Sequence, residues 1–363
     1  MDIKSALDLP FETPHMVIDS DLVNANISRM QELANQNNKR LRPHSKTHKI
    51  PELSRLQIDS GAVGVCVQKV SEAEVMFKGG IENLLLSNEV IGEKLRRCSV
   101  LISEGANLTV VVDNVFSAKQ FSSLCEYAGI DGRVMIDVNI GMNRCGVDPS
   151  EFSSLLKHIL KMPNILFEGI MAYDGHVSFQ ELKKRNKEVN REEETLSRIV
   201  HELEKNRLRD MIVSVGGTPT AEIWAHSELV NELQPGTYVY YDMHCVKLGL
   251  CTLDDVAIGV VATATSEKRG ARVVLDAGYK SVSLDQGVYP TVIDENENEY
   301  SVLSMSEEHT VLKVSKSASY LGKKFIMLPY HSCTTTDLWD NTYAISRTRR
   351  PRQVIIEGRG KRE

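Results

Sequence analysis

The sequence predicts an α/β chain, a (β/α)8 barrel followed by an antiparallel β domain. Two observations carry this prediction. Up to about Tyr241, short apolar runs without polar alternation are separated by helical stretches. That is the pattern of buried parallel strands with helices outside. After His244 the texture changes, and strand-like runs follow one another across turns with few helices between. A doubly wound sheet is the alternative for the first part.

The elements follow in order. Met16-Val17-Ile18-Asp19 is a short apolar strand, and Ser20 or Asp21 caps a helix running to about Gln36. Leu41 to Lys46 and Ala62 to Val67 come next as strands. Ser71-Glu72-Ala73-Glu74 has capping-box spacing and opens a helix that Gly79-Gly80 stops. Strands at Leu84–Leu86, Leu108–Asp113 and Arg133–Asn139 alternate with helices after Gly92 and over Ser117–Tyr127. Asp148-Pro149-Ser150-Glu151 supplies an N-cap, a proline at N1 and an acid at N3, so a helix is expected there. Phe167–Ala172 is a strand, Phe179 to Asn206 a long charged helix, and Met211–Val215 and Thr237–Tyr241 the last strands of the series. This assigns residues 12–243 to the barrel, and 244–363 with 1–11 to the β domain. In the latter, Ala257–Thr265, Ala271–Asp276, Thr310–Ser315, Lys324–Leu328, Tyr343–Thr348 and Gln353–Glu357 read as strands.

Composition excludes several function classes. The 363 residues carry a net charge of -6, which argues against nucleic acid or an anionic membrane as partner. No signal peptide is visible at the start and no apolar run is long enough to span a bilayer. Seven cysteines form an odd, scattered set without a Cys-x-x-Cys pair, which suits free thiols in a reducing cytoplasm.

Polar residues gather where the predicted strands end, the place where barrels build active sites. Arg42-Pro43-His44-Ser45-Lys46-Thr47-His48-Lys49 sets two lysines among two histidines. Such a stretch could be a solvated basic turn. Alternatively, neighbouring positive groups and partial burial favour the free amine that a Schiff-base lysine needs. Asn139-Ile140-Gly141-Met142-Asn143-Arg144 and Tyr173-Asp174-Gly175-His176 follow two later strands. Ser214-Val215-Gly216-Gly217-Thr218-Pro219-Thr220 offers glycine amides and hydroxyls, either a tight turn or a phosphate cradle. Gln234-Pro235-Gly236-Thr237-Tyr238 could add amides and a phenol. His331 and Cys333, two apart, could bind one metal if the segment is extended. By itself that pair is a weak signal.

The Lys46 stretch, then Gly141-Met142-Asn143-Arg144-Cys145-Gly146, then Gly216-Gly217-Thr218-Pro219-Thr220, resemble the D-threonine aldolase / D-serine dehydratase family. This is the metal-dependent branch of the alanine-racemase-like (fold type III) pyridoxal phosphate enzymes. The order and spacing run over nearly the whole chain. The resemblance implies that Lys46 binds the aldehyde of pyridoxal 5'-phosphate and acts as catalytic base. Lys49 is the rival but falls outside the matching slot. It further implies cofactor contacts from His44, Arg144, Tyr173, Ser214, Gly216, Gly217, Thr218, Gly236 and Tyr238. His331 and Cys333 take the metal-ligand slot. Aldolase members typically carry His-x-Asp there and dehydratase-like members His-x-Cys, so Cys333 tilts the reading to the D-serine dehydratase-like branch. A thiolate is soft and favours Zn2+ over Mn2+ or Mg2+.

Implied, then, are a small D-amino acid substrate, a head-to-tail homodimer and a cytoplasmic enzyme. The expected reaction is elimination from a D-β-hydroxy amino acid to a 2-oxo acid and ammonia. Retro-aldol cleavage to glycine and an aldehyde is the alternative, and racemisation a third. A non-catalytic pyridoxal phosphate carrier would leave the C-terminal domain unexplained. Asp137 and Asp174 read as supporting partners or caps, and Met135, Met142 and Met171 as packing. Glu307-Glu308-His309 could line the substrate site or form a solvated turn. Asp276 to Lys280 reads as a structural turn near the dimer interface, and Arg347, Arg349, Arg350 and Arg352 as a solvated edge.

Overall fold

The computed structural model describes residues 1–178, 180–315 and 318–363. The chain divides into two compact units. One is Arg29–Gly236 with Lys361–Glu363, and the other is Met1–Ser28 with Thr237–Gly360.

The first strand, β1 (His15–Asp19), belongs to the second unit. The first unit holds the barrel: β2 (Arg40–Leu41), β3 (Val65–Val67), β4 (Asn83–Leu86), β5 (Asn107–Val112), β6 (Gly132–Val138), β7 (Ile165–Ala172), β8 (Ile212–Val215) and β9 (Glu232–Leu233). Among the described residues these eight strands lie parallel in the order β2-β9-β8-β7-β6-β5-β4-β3. A parallel bridge between His44 and Cys66 returns the last strand to the first. There the Cys66 N–H donates to the Pro43 carbonyl at 2.8 Å. The sheet is therefore closed and has no edge to protect.

Cys66, Leu85, Val111, Met135 and Met171 form one buried cluster with Ile212 packed against it. Each large apolar side chain taken out of water there contributes on the order of 1.5–3 kcal/mol. Between the strands run helices such as Glu93–Ser103, Val115–Ala128 and Leu182–Lys205. The last buries Val189, Leu196, Ile199 and Leu203, spaced seven, three and four apart, together with Arg185 and Glu192, and turns most of its other charges to solvent. Its expected start at Phe179 lies outside the described residues.

The second unit is antiparallel in the main. Its strands are β1, β10 (Ile258–Lys268), β11 (Arg272–Leu275), β12 (Thr291–Ile293), β13 (Glu299–Tyr300), β14 (Val302–Met305), β15 (Thr310–Lys313), β16 (Lys324–Leu328), β17 (Asn341–Ile345) and β18 (Arg352–Ile355). The main path runs β13-β12-β16-β10-β1-β17-β18. Arg352 stands on β18 at the end of that path. No helix among the described residues is long and apolar enough to cross a membrane.

Three expectations are corrected. Residues 12–28 group with the antiparallel unit, because β1 pairs antiparallel with β10 and parallel with β17. All five of its residues are buried, so its sequence carries no alternation to distinguish the two sheets. Thr237–Tyr241 is not a strand. The last barrel strand is β9, and Thr237–Val239 is a 3-10 turn whose buried Tyr238, with Tyr240 just after it, imitates strand composition. The helix expected from Asp148 starts only at Phe152. Asp148 is recruited instead by the Asn139 amide, 3.0 Å from its Oδ1.

Candidate active site

Lys46 sits in a 3-10 turn, Ser45–Thr47, directly after the first barrel strand. The turn is built by its neighbours. His44 Nδ1 accepts the Lys46 N–H at 3.3 Å, and Ser45 Oγ donates to the Cys66 carbonyl at 3.0 Å. Because Nδ1 of His44 accepts, its Nε2 carries the proton, and it faces Gln68 Oε1 at 3.2 Å and Ser87 Oγ at 3.1 Å. Burial, then the charge of Lys46, holds His44 well below the usual histidine range, so it is a neutral ring. Lys49 points to a different partner. It is buried and pairs with Glu72 Oε1 at 3.3 Å.

The Lys46 amine lies over the Tyr173 ring, with Nζ 5.4 Å from the centroid, and Arg144 Cζ lies 5.2 Å from the same centroid. Two residues far apart in sequence thus converge on the ring of a third.

Each is positioned locally. Arg144 rides on a loop folded around Asn139, whose Oδ1 accepts the N–H groups of Gly141 and Asn143, both at 3.1 Å. Gly146, at φ 94°, closes this loop. A Cβ there would stand 2.7 Å from the Asn139 nitrogen. Met142, expected in the packing, is half-exposed and lines a small cleft with Asp137, Arg144, Cys145 and Tyr173.

Tyr173 stands against two glycines. A Cβ on Gly175 would lie 2.4 Å from Tyr173 Cε1, and one on Gly217 would lie 3.4 Å from its Cε2. Asp174, fully buried, accepts the Trp224 Nε1–H at 2.8 Å. Trp224 in turn packs so tightly on Gly216 that a Cβ there would meet its Cδ1 at 2.9 Å.

The glycine turns at Gly216-Gly217 and Gly236 follow β8 and β9, the seventh and eighth barrel strands. That is the recurring location of phosphate sites in this architecture. Gly236 abuts the lysine turn itself, where a Cβ would sit 3.0 Å from Thr47 Oγ1 and 3.1 Å from the His44 carbonyl. Thr218 is buried, and the Gly217 N–H is already engaged by Thr220 Oγ1 at 3.2 Å. Ser214 is wholly buried in register between Met171 and Glu232, and its hydroxyl finds no partner among the described residues. An amine over an aromatic ring, a guanidinium beside it and backbone turns stripped of side chains fit an aldehyde-bearing aromatic phosphate. Tyr238, in the other unit, is buried.

Two acids escaped the sequence reading, Glu89 and Glu192. Asp137, buried at the end of β6, is pushed well above the carboxylate range by burial and by Glu89, which shares a hydrogen bond with it. Glu89 has no local spacing signal, since it follows β4, two strands away. Glu192, on the helix Leu182–Lys205, has Oε1 3.2 Å from His176 Nε2. That geometry suits an ion pair, yet burial, reinforced by Asp174 and Glu188, outweighs it and raises Glu192 to about 9. Glu192 is thus a neutral acid at pH 7.

In the second unit His331 and Cys333 are brought together, though not as expected. His331 is extended, but a helix, Ser332–Thr336, begins at the next residue. The turn is fixed by Asp242, whose Oδ2 accepts from the Ser332 N–H at 3.0 Å and its hydroxyl at 3.1 Å. Burial opposes a charged His331 ring, but contacts with Cys333 and Asp285 together raise it to about 10. Nearby, the Tyr240 hydroxyl is buried without a partner among the described residues. Its ionisation is opposed first by burial and then by the charge of Cys333. Among the described residues no group of three or more His, Cys, Asp or Glu side chains is arranged for a metal. The pair fits a two-ligand site whose other positions are left open. Glu307-Glu308-His309 forms an exposed turn in which Glu308 pairs with Lys280 at 2.8 Å.

Comparison with known proteins identifies the family. The family model described as alanine racemase, N-terminal domain, matches residues 18–244, and that described as putative serine dehydratase domain matches 257–345. D-threonine aldolase of Arthrobacter sp is 32% identical over 343 residues, covering 92% of this chain and 89% of that protein. The crystal structure of D-threonine aldolase from Filomicrobium marinum has a TM-score of 0.89 at 30% identity, covering 96% of this chain and 95% of that one. D-threo-3-hydroxyaspartate dehydratase from Delftia sp. HT23 has a TM-score of 0.88 at 26% identity, covering 98% and 99%. Further solved forms of D-threo-3-hydroxyaspartate dehydratase include a histidine-to-alanine variant and, two positions on, a cysteine-to-alanine variant in the metal-free form. This chain belongs to the alanine-racemase-like family of pyridoxal phosphate enzymes, in the group of D-threonine aldolases and D-serine dehydratases, and is a pyridoxal phosphate-dependent lyase.

Proposed function

We propose that the chain is a metal-dependent lyase that eliminates the β-hydroxyl of a D-β-hydroxy amino acid, as a D-serine dehydratase does. The observation that carries this reading is Cys333 beside His331. A solved D-threo-3-hydroxyaspartate dehydratase has alanine variants at a histidine and a cysteine with the same spacing, the second described in its metal-free form.

When bound, pyridoxal phosphate supplies an electron sink that acidifies the Cα–H, and a divalent cation, Zn2+ before Mn2+, supplies a Lewis acid for the β-oxygen. The residues do the rest. Lys46 would hold the cofactor aldehyde and, once displaced by the substrate amine, take the Cα proton on Nζ. Arg144 would hold a fixed positive charge beside the cofactor's phenolic oxygen. Tyr173 would support the ring, and the turns at Gly216-Gly217 and Gly236, with Ser214, Thr218 and Tyr238, would receive the phosphate. His44, neutral and hydrogen-bonded on both nitrogens, would fix the lysine turn. His331 and Cys333 would hold the cation. The Cα proton and the β-hydroxide leave together as water. The enamine released tautomerises to an imine, which takes up one water to give the 2-oxo acid and ammonia.

Aldol cleavage is the second reading, favoured by the aldolase from Arthrobacter at 32% identity. A homodimer in the cytoplasm goes with either reading.

The test is a product assay on purified protein with pyridoxal phosphate and Zn2+, offering D-serine, D-threonine and D-3-hydroxyaspartate separately. A 2-oxo acid and ammonia, lost with a chelator and with Cys333→Ala, support the dehydratase. Glycine and an aldehyde would overturn it in favour of the aldolase.

A further inference from the structure

The His331 ring is also held from outside its own helix. Its Nδ1 lies 2.7 Å from Asp285 Oδ2, a residue of a separate loop. Asp285 is itself fixed. Its Oδ1 accepts from Ser283 Oγ at 3.0 Å and Thr334 Oγ1 at 2.9 Å, and its Oδ2 also accepts from Gln286 Nε2 at 2.9 Å. Both oxygens are therefore occupied, and the carboxylate has little freedom to turn towards a cation of its own. A carboxylate can only accept, so Nδ1 carries a ring proton, and a cation at Nε2 would take the place of the second proton that the ring otherwise binds there.

We propose that Asp285 is the positioning residue for His331, accepting its Nδ1–H and so fixing the ring's rotation and tautomer with Nε2 offered to a divalent cation shared with Cys333. Thr334 extends the same device, since it joins Asp285 to the helix that carries Cys333. One side-chain network thereby sets both ligands. A ligating histidine whose other nitrogen is anchored to a carboxylate binds metal more tightly than a free one, because rotation is already lost and the ring is more basic. The inference rests on reading His331 and Cys333 as metal ligands.

The test is metal affinity, measured on the protein loaded with pyridoxal phosphate by competition between the protein and a chromophoric chelator for Zn2+. Asp285→Ala is expected to weaken Zn2+ binding about 10- to 100-fold. Asp285→Asn keeps an oxygen that accepts the Nδ1–H and is expected to recover most of that loss. With saturating Co2+, Asp285→Ala should keep the sulfur-to-metal charge-transfer band, since Cys333 is untouched. Thr334→Val removes one hydrogen bond from Asp285 and should weaken binding about threefold, which tests the network even if Asp285→Ala folds poorly. Unchanged affinity in Asp285→Ala, with binding lost in His331→Ala, would overturn the proposal and leave the metal reading standing. Unchanged affinity in His331→Ala as well would overturn the metal reading itself.

Discussion

Lys46 Nζ lies 5.4 Å from the centroid of the Tyr173 ring, although 127 positions separate the two residues in the chain. One follows the first barrel strand and the other the sixth. The relationship gives the site a floor, because Tyr173 is itself clamped by Gly175 and Gly217.

Gly175→Ala should disturb that floor. The new Cβ would stand 2.4 Å from Tyr173 Cε1 and 2.9 Å from Cζ, so the ring must swing. Overpacking of this kind costs about 1–3 kcal/mol. Cofactor affinity, read by absorbance titration, is expected to fall roughly tenfold. Unchanged affinity would mean that the ring does not support the cofactor.

Lys46 and Lys49 should separate cleanly. Lys46→Met is expected to abolish the bound cofactor's visible band and all turnover. Lys49→Met breaks a buried pair with Glu72 and should cost about 3–5 kcal/mol of stability while the band survives. The reverse pattern in absorbance spectra would transfer the role to Lys49.

Asn139→Ala removes the oxygen that accepts two N–H groups of the Arg144 loop. A loss of about 1–3 kcal/mol in urea unfolding is expected. Because Arg144 is then held less firmly, cofactor affinity should fall as well. Retention of full affinity would assign Asn139 to stability alone.

The buried histidines predict acid sensitivity. Burial pushes His48 down to about 4 and His44 also well below 6.5. The folded state then binds fewer protons than the unfolded one between these values. Their stabilisation is complete above pH 6.5 and is lost as pH falls towards 4. For His48 the loss approaches roughly 3 kcal/mol at the acid end. His48→Gln should flatten urea midpoints between pH 6.5 and 4 relative to the parent. Parallel curves would refute the assignment.

Glu192 predicts the opposite slope. Its folded value, about 9, stands above the ordinary 4.5, so the folded state binds the extra proton. Stability should fall as pH rises from 4.5 towards 9. Glu192→Gln should gain on the parent over that window, by a few kcal/mol at pH 8. A constant difference between the two proteins would show that Glu192 titrates normally.

Much of this was legible in the chain. The lysine among histidines, the loop ending in Arg144, the two glycine turns and His331 with Cys333 are local patterns, and local chemistry demands them. The barrel was visible as well, because strands buried on both faces lack alternation and helices separate them. The same absence of alternation misassigned β1, whose five residues are equally buried in the other sheet.

Sequence alone determined the family and that Lys46, Arg144 and Tyr173 follow parallel strands. Tertiary structure decided which strands close the barrel, that His44 and Cys66 meet to close it, and which lysine faces Tyr173. It also supplied partners that no spacing announces: Glu89 for Asp137, and Asp285 for His331. Spacing reports only neighbours within a turn of helix or a stride of strand. Register and burial join residues many strands apart, and those contacts determine which ring is held and which acid keeps its proton.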